Sequence, residues 1–235
     1  MASPVSEGTF SSSAFSSRDI NILNEKIHVT IDKDFKTAIY KIEYFLNTET
    51  EGRQIPLLFH ALDSTGEFKI WVDGIEVNVL AIPLQYLTVA NSPFAKFTDI
   101  FLPLSNNDES ETVTIYWTEN SGFVYQLNNL KYFETDLTKG NHTIRVEYIA
   151  KVWLDVSDWV KEYSFRYSLS PAKFWKSFGS LEVVVDASQF HQSITTNFSQ
   201  PASGKLGSVA TWNFDKLPAN YFQINYVPAV SSLAT

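Results

Sequence analysis

The chain has 235 residues, with 26 Asp and Glu against 18 Lys and Arg, a formal net charge of −8, 44% hydrophobic and 19% charged residues, and no cysteine. The carboxylate excess repels a phosphate backbone and disfavours anionic lipid, so nucleic acid is excluded as an expected partner. The missing cysteines exclude disulfides, thiolate metal sites and cysteine nucleophiles, and a charged fraction below the roughly 25% of ordinary globular chains excludes disorder by composition.

Residues 1–17 are rich in Ser and small side chains, without a basic start or an apolar run. They read as a flexible leader rather than a secretory signal. No stretch approaches the ~20 consecutive apolar residues of a membrane-spanning helix, so no transmembrane segment is expected.

Beyond the leader the dominant signal is alternation with period two, the spacing that sends successive side chains to opposite faces of a strand. Ile27, Val29 and Ile31 alternate with His28 and Thr30, a turn is expected over Asp32–Asp34, and Ala38, Tyr40, Ile42, Tyr44 and Leu46 alternate with Thr37, Lys41 and Glu43. Phe68, Ile70 and Val72 run into Asp73-Gly74 and then Ile75, Val77 and Val79, a hairpin signal because both turn positions tolerate positive φ. The polar, acidic stretch Ser105–Glu111 reads as a domain boundary or a long loop, and Val113, Ile115 and Trp117 follow it as a strand. Then come Ile144 to Val152, Tyr163 to Leu169, Leu181 to Val185, Trp212 with Phe214, and Phe222 to Tyr226, separated by Gly, Pro, Asn and Ser clusters. No segment carries a long amphipathic helix pattern.

Short strands at this density, without interleaved helices, predict an all-β protein of antiparallel sheets packed as β-sandwiches. The division adopted is a leader at 1–17, one sandwich over 18–107, a second over 111–228 and a tail at 229–235.

The motifs of common catalysis are absent: there is no G-x-S-x-G, H-E-x-x-H, phosphate loop or G-x-G-x-x-G. Gly204-Lys-Leu-Gly-Ser208 lacks phosphate-loop spacing and reads as a hairpin connection. His28, His60, His142 and His191 lie far apart, none with a second ligand at metal spacing. Asp155 and Asp158, bracketed by Trp153 and Trp159, place two carboxylates three apart in an expected turn, where oxygen ligands suit Ca²⁺. The bland alternative is that both cap backbone N–H groups of the turn.

Aromatic residues invite a binding role: 6 Trp, 11 Tyr and 18 Phe are present, and Trp71 and Tyr116 fall opposite the main apolar stripes. Exposed indoles at Trp71, Trp153 and Trp159 would stack on sugar faces or anchor a protein partner, whereas the bland reading packs them beneath another layer.

The run Ala38-Ile-Tyr-Lys-Ile-Glu-Tyr-Phe-Leu-Asn47 with Ile55-Pro-Leu-Leu-Phe59, and the run Phe165-Arg-Tyr-Ser-Leu-Ser-Pro-Ala-Lys-Phe-Trp175 continuing through Gly179 to Leu181-Glu-Val-Val-Val185, resemble uncharacterised exported bacterial β-sandwich proteins. The resemblance covers about a third of the chain. It implies a secreted, periplasmic or cell-surface setting, a cytoplasmic one being the alternative, and it brings no catalytic residues. The expected function is therefore a non-enzymatic binding module whose partner is a protein or a surface glycan. The alternatives are a carbohydrate-binding module with Trp platforms and a hydrolase whose site is assembled from distant loops.

Overall fold

The computed structural model describes residues 2–4, 20–81, 112–118, 121–126, 129–156, 161–169, 172 and 175–228. Within them the chain forms strands β1 (Ala2–Pro4), β2 (Ile20–Ile31), β3 (Thr37–Thr48), β4 (Gly52–His60), β5 (Ser64–Val72), β6 (Ile75–Glu76), β7 (Thr112–Thr118), β8 (Ser121–Gln126) and β9 (Leu130–Leu137). They are followed by β10 (Gly140–Lys151), β11 (Trp153–Asp155), β12 (Glu162–Ser168), β13 (Ser177–Asp186), β14 (Thr195–Thr196), β15 (Ser203–Gly204), β16 (Val209–Phe214) and β17 (Tyr221–Tyr226). The all-β expectation holds: the described residues contain no α-helix.

An eight-stranded sheet has the order β15-β16-β13-β2-β3-β10-β5-β6, and smaller sheets have the orders β1-β4-β9, β11-β12-β17-β14 and β7-β8. Among the described residues all pairs are antiparallel except β2 with β13, which run parallel from Asn21 opposite Ser177 to Thr30 opposite Asp186. Hydrogen bonding crosses the acidic stretch at which the sequence divides: β3 pairs with β10 along its whole length, Thr37 opposite Lys151 and Thr48 opposite Gly140. The partition into 18–107 and 111–228 therefore cuts through the largest sheet. Ser105–Glu111 and the tail at 229–235 lie outside the described residues, and Ala2–Pro4 of the expected leader is built into a sheet edge against Leu57–Phe59.

One face of the large sheet is buried, and the alternation says which. Ala38, Tyr40, Ile42, Tyr44 and Leu46 of β3 point inward with Ile144, Val146, Tyr148 and Ala150 of β10, Ile27, Val29 and Ile31 of β2, and Leu181, Val183 and Val185 of β13. Both larger of the small sheets rest on that face. Phe59 of β4 packs edge-on against Tyr148 at 5.8 Å between ring centroids, while Tyr167 of β12 lies 6.0 Å from the near-parallel ring of Tyr40. Rings of this size each bury about 150–250 Å², so these contacts dominate the hydrophobic stabilisation of the layer.

Two local devices set the geometry. The turn between β2 and β3 is organised by Asp32, whose carboxylate accepts from the amides of Asp34 (2.9 Å), Lys36 (3.0 Å) and Thr37 (2.7 Å) and from the Thr37 hydroxyl (2.5 Å). The expected Asp73-Gly74 hairpin is present with φ of 50° and 80°, joining β5 to a β6 of only two residues, and the Asp73 carboxylate ties it to β10 through the Thr143 amide (2.8 Å) and His142 Nδ1 (2.7 Å). The Gly204–Ser208 stretch is the hairpin connection between β15 and β16, as its spacing suggested.

A bulge interrupts β2. Its register against β3 shifts between Ile22 and Asn24, so that Ile20 and Ile22 face inward before the bulge and Glu25, Ile27, Val29 and Ile31 after it. The extra residue pushes the Leu23 carbonyl toward β13, where Gly179 receives it: a Cβ at position 179 would stand 2.1 Å from the Leu23 oxygen. Gly179 is thus the complement of the bulge rather than a turn residue.

Gly179→Ala is expected to destabilise the fold by about 2 kcal/mol, since backbone on both strands must give way, and to lower the melting temperature by roughly 4–8 °C. Urea unfolding with an unchanged m-value would check it, and wild-type stability in this variant would show that the bulge tolerates a methyl group. Asp32→Ala should cost about 1–2 kcal/mol at neutral pH. Burial alone would raise the Asp32 pKa, but the hydrogen bonds from Thr37, Lys36 and Asp34 outweigh it and hold it below the usual range. That contribution is therefore complete above the unfolded carboxyl's pKa and disappears as pH falls through the lower folded value. The gap between wild type and Asp32→Ala in acid titrations should close in that window.

Candidate functional site

The outer face of the large sheet carries its polar residues in cross-strand rungs. The longest runs Glu182 (β13), Lys26 (β2), Glu43 (β3), Arg145 (β10), Trp71 (β5) and Glu76 (β6), each opposite the next in register. Charge alternates along it: Lys26 Nζ is 3.6 Å from Glu182, and the Arg145 guanidinium lies 4.0 Å from the centroid of the Trp71 indole. The neighbouring rung sets His28, Lys41, Glu147 and Lys69 in register, with Lys41 Nζ 3.9 Å from Glu147. Apolar side chains on this face include Ile39 opposite Ile149, Phe45 near Lys26 and Val209 opposite Asp186, all exposed, and the partly buried Val184 opposite His28.

Trp71 is thus a half-buried indole on the outer face, one ring face occupied by Arg145. Trp153 sits on the edge strand β11 and is capped in the same way: the Arg166 guanidinium is 4.4 Å from its ring centroid. Arg166 is held in turn by the Asp63 carboxylate through Nε (3.1 Å) and Nη2 (2.9 and 2.8 Å). A planar guanidinium gripped by a carboxylate and stacked on an indole is a preorganised arrangement, stronger than a surface pair of long side chains. The two indoles do not share a site. Arg145 and Lys151 are six positions apart on β10, roughly 20 Å of extended chain, with Trp71 at the first end and the start of β11 just beyond the second.

Asp155 ends β11, half-buried, opposite Glu162. Asp158 and Trp159 lie outside the described residues. Among the described residues no group of three or more His, Asp or Glu is placed to hold a metal ion. Nor do the histidines meet. His60 is fully buried on β4, where burial and the charge of the chain's amino group hold its pKa well below the usual value. His142 is buried at the start of β10 between Asp73 and the Thr138 carbonyl (2.7 Å each), while His28 and His191 are exposed on β2 and in the loop after β13.

What sequence reasoning missed is a polar cluster inside the core. The β2 bulge turns Glu25 inward, where it is 0% exposed. The Tyr167 hydroxyl donates to Glu25 Oε1 at 2.8 Å, and the Tyr44 and Tyr167 hydroxyl oxygens are 2.9 Å apart. Glu25 Oε2 and the Tyr148 hydroxyl, both buried, have no hydrogen-bond partner. Burial pushes the Glu25 carboxyl up to about 7, against the opposing pull of the amino-terminal charge and of the hydrogen bonds from Tyr167 and Tyr44, so the acid is substantially neutral below that pH.

Comparison with known proteins returns no matching family model and no matching curated relative. Among solved structures the chain is similar to an M1 zinc metallopeptidase from Deinococcus radiodurans at 9% identity and a TM-score of 0.40, covering 88% of this chain and 42% of that one. It is also similar to native leukotriene A4 hydrolase from Saccharomyces cerevisiae, at 9% identity and a TM-score of 0.47, covering 89% of this chain and 29% of that one. The chain thus spans less than half the length of either structure.

Proposed function

We propose that this chain is a non-enzymatic binding module of the bacterial cell envelope or secreted space, and that it recognises its partner through the outer face of the eight-stranded sheet. The observation that carries this reading is the rung from Glu182 to Trp71, which presents alternating charge ending in an arginine-stacked indole on a broad, one-sided sheet. Such a surface suits a partner with alternating charge and flat apolar elements, and Arg and Trp are the side chains that most often dominate binding energy. The exported setting follows the resemblance of the 38–59 and 165–185 runs.

A glycan partner is the second reading, supported by the half-exposed Trp71 ring. It includes the Ca²⁺ role for Asp155 and Asp158. We also read the layers as one sandwich-like assembly instead of two in tandem, because β2, β3 and β5 alternate with β10 and β13 in a single sheet.

Binding of the purified chain to purified bacterial surface proteins and envelope polysaccharides should weaken roughly thirty-fold in Trp71→Ala and Arg145→Ala, with melting temperatures close to wild type. Equal binding by these variants would remove the outer face from the reading, and turnover on an ester, peptide or glycoside panel would overturn the non-enzymatic assignment. A glycan array that stays blank with calcium, or binding indifferent to EDTA, would dispose respectively of the sugar reading and of its ion. Expressed separately, residues 18–107 and 111–228 should each fail to give a cooperative unfolding transition. Two independent transitions matching the intact chain would restore the tandem arrangement.

A further inference from the structure

The outer rungs serve the binding role just argued. The buried cluster around Glu25 does not, and it is an unusual thing to keep in a core. An acid inside an apolar layer destabilises the fold when charged unless fully hydrogen-bonded, and here one carboxyl oxygen has no partner. A packing role alone would be met by Gln or Leu. Moreover, the residue is inward only because β2 is bulged at Ile22–Asn24, a distortion that in turn requires Gly179 on the parallel neighbour.

The position of Glu25 in the layers is the informative part. On its own sheet it is flanked in register by Tyr44 of β3 and Leu181 of β13. Its strongest partner, Tyr167, belongs to β12 in the four-stranded sheet, so the hydrogen bond crosses from one sheet to the other. Tyr44 joins the same crossing through the Tyr167 hydroxyl. We propose that Glu25 is a proton-dependent latch between the eight-stranded and four-stranded sheets, closed while its carboxyl is neutral and weakened when it ionises.

The surroundings agree. The ionisable groups beside the carboxyl are Tyr44 from β3 and Tyr167 from β12; burial raises Tyr167 well above the ordinary phenol value, so it stays a neutral donor, and no side-chain cation is among them. Tyr40 on β3, next along the stack, is raised in the same way and for the same cause. The nearest complete ion pair beyond them, Asp63 with Arg166, satisfies itself bidentately. His60, also buried whole, is kept neutral. When the proton leaves, the Tyr167 hydroxyl bonds the carboxylate more strongly, but Oε2 stays without a partner in a layer that excludes water, and that desolvation outweighs the gain; the relief available is for β12 to move off and let water in.

The sign of the linkage follows. The folded carboxyl titrates near 7 and the unfolded one near the ordinary 4.5, so between those values the folded state binds the extra proton. Stability is full below the unfolded pKa, falls as pH rises through this window, and is lowest once the folded group is ionised. The expected loss in the folding equilibrium constant is about a hundredfold, roughly 2.7 kcal/mol.

The test uses the full chain. Urea unfolding of wild type and Glu25→Gln should be measured at half-unit steps from pH 5 to pH 8.5, together with residue-resolved amide exchange corrected for intrinsic rates. The wild type should lose about a hundredfold in folding constant relative to Glu25→Gln across that range, and at pH 8 the amides of β12 and β17 should exchange at least tenfold faster relative to those of β3 and β10. Parallel pH profiles in the two proteins would overturn the latch, as would acceleration spread evenly over all sheets, which marks a global destabilisation. Should Glu25→Gln fail to fold, infrared spectra of the wild type labelled with ¹³C-carboxyl glutamate decide. One protonated carboxyl band should persist at pH 6 and vanish by pH 8.5, and its absence at pH 6 would overturn the proposal.

Discussion

The eight-stranded sheet buries one face and leaves the other to water, and most of the molecule answers to that asymmetry. A half-buried sheet demands alternation, and the chain supplies it in β3 and β10, where every second residue from Ala38 to Leu46 and from Ile144 to Ala150 is buried. Covering that inner face requires further layers, which the shorter strands β4 with β9 and β12 with β17 provide. The outer face, freed from packing, is arranged as charge rungs in which like charges are kept from sitting directly opposite one another, as Lys26, Glu43 and Arg145 do. The sheet's outermost strands, β6 and β15, are only two residues long, which leaves little free edge for unwanted pairing.

The inner face is built from tyrosine where phenylalanine would pack as well, and this choice has a physical consequence. Each phenol brings a hydroxyl that must be satisfied in a layer that excludes water. Tyr40 reaches the Arg166 carbonyl at 3.5 Å, and Tyr44, Tyr167 and Glu25 Oε1 are linked in a chain. These bonds join strands of different sheets, so they fix how the layers sit in register, a task that apolar contacts, being non-directional, perform less sharply. Tyr148, stacked at 5.0 Å on Tyr40, keeps an unpartnered hydroxyl and marks where that network is incomplete.

How much of this was legible in the sequence depends on the range of the interaction. The β3 stripe, the Asp32 turn and the Asp73-Gly74 hairpin are set within a dozen residues, and their spacing alone reveals them. Which strands become neighbours is not local: Arg145 meets Glu43 across about a hundred residues, and β2 meets β13 in parallel, an arrangement that no turn signal announces. The boundary read at Ser105–Glu111 was inferred from local polarity, which carries no information about pairing over such distances. At the candidate site, the outward direction of Trp71 was readable from its parity against Ile70 and Val72. Its stacking on Arg145 was not, since it needs the register of β5 against β10. The capping of Trp153 depends on an arginine from β12 and a carboxylate from the loop before β5, two contacts fixed only by the packed sheets.

Glu25 did leave a trace. The apolar parity of β2 is even at Ile20 and Ile22 and odd from Ile27 onward, and a strand changes parity only by inserting a residue, so a bulge between them was implied. Carried through, that parity places Glu25 on the buried face, where the same sequence reads as an error in patterning. Such local disagreement is where function or strain is most often kept, because a residue that weakens the fold persists only if something else depends on it. Gly179 makes the same point from the other strand: its glycine has no turn to make, and its only evident task is to accept the Leu23 carbonyl that the bulge displaces. Two separate positions, Leu23 and Gly179, 156 residues apart in sequence, are thus committed to holding one acid inside the core. That shared commitment is a stronger argument for a role of the acid than its ionisation taken by itself.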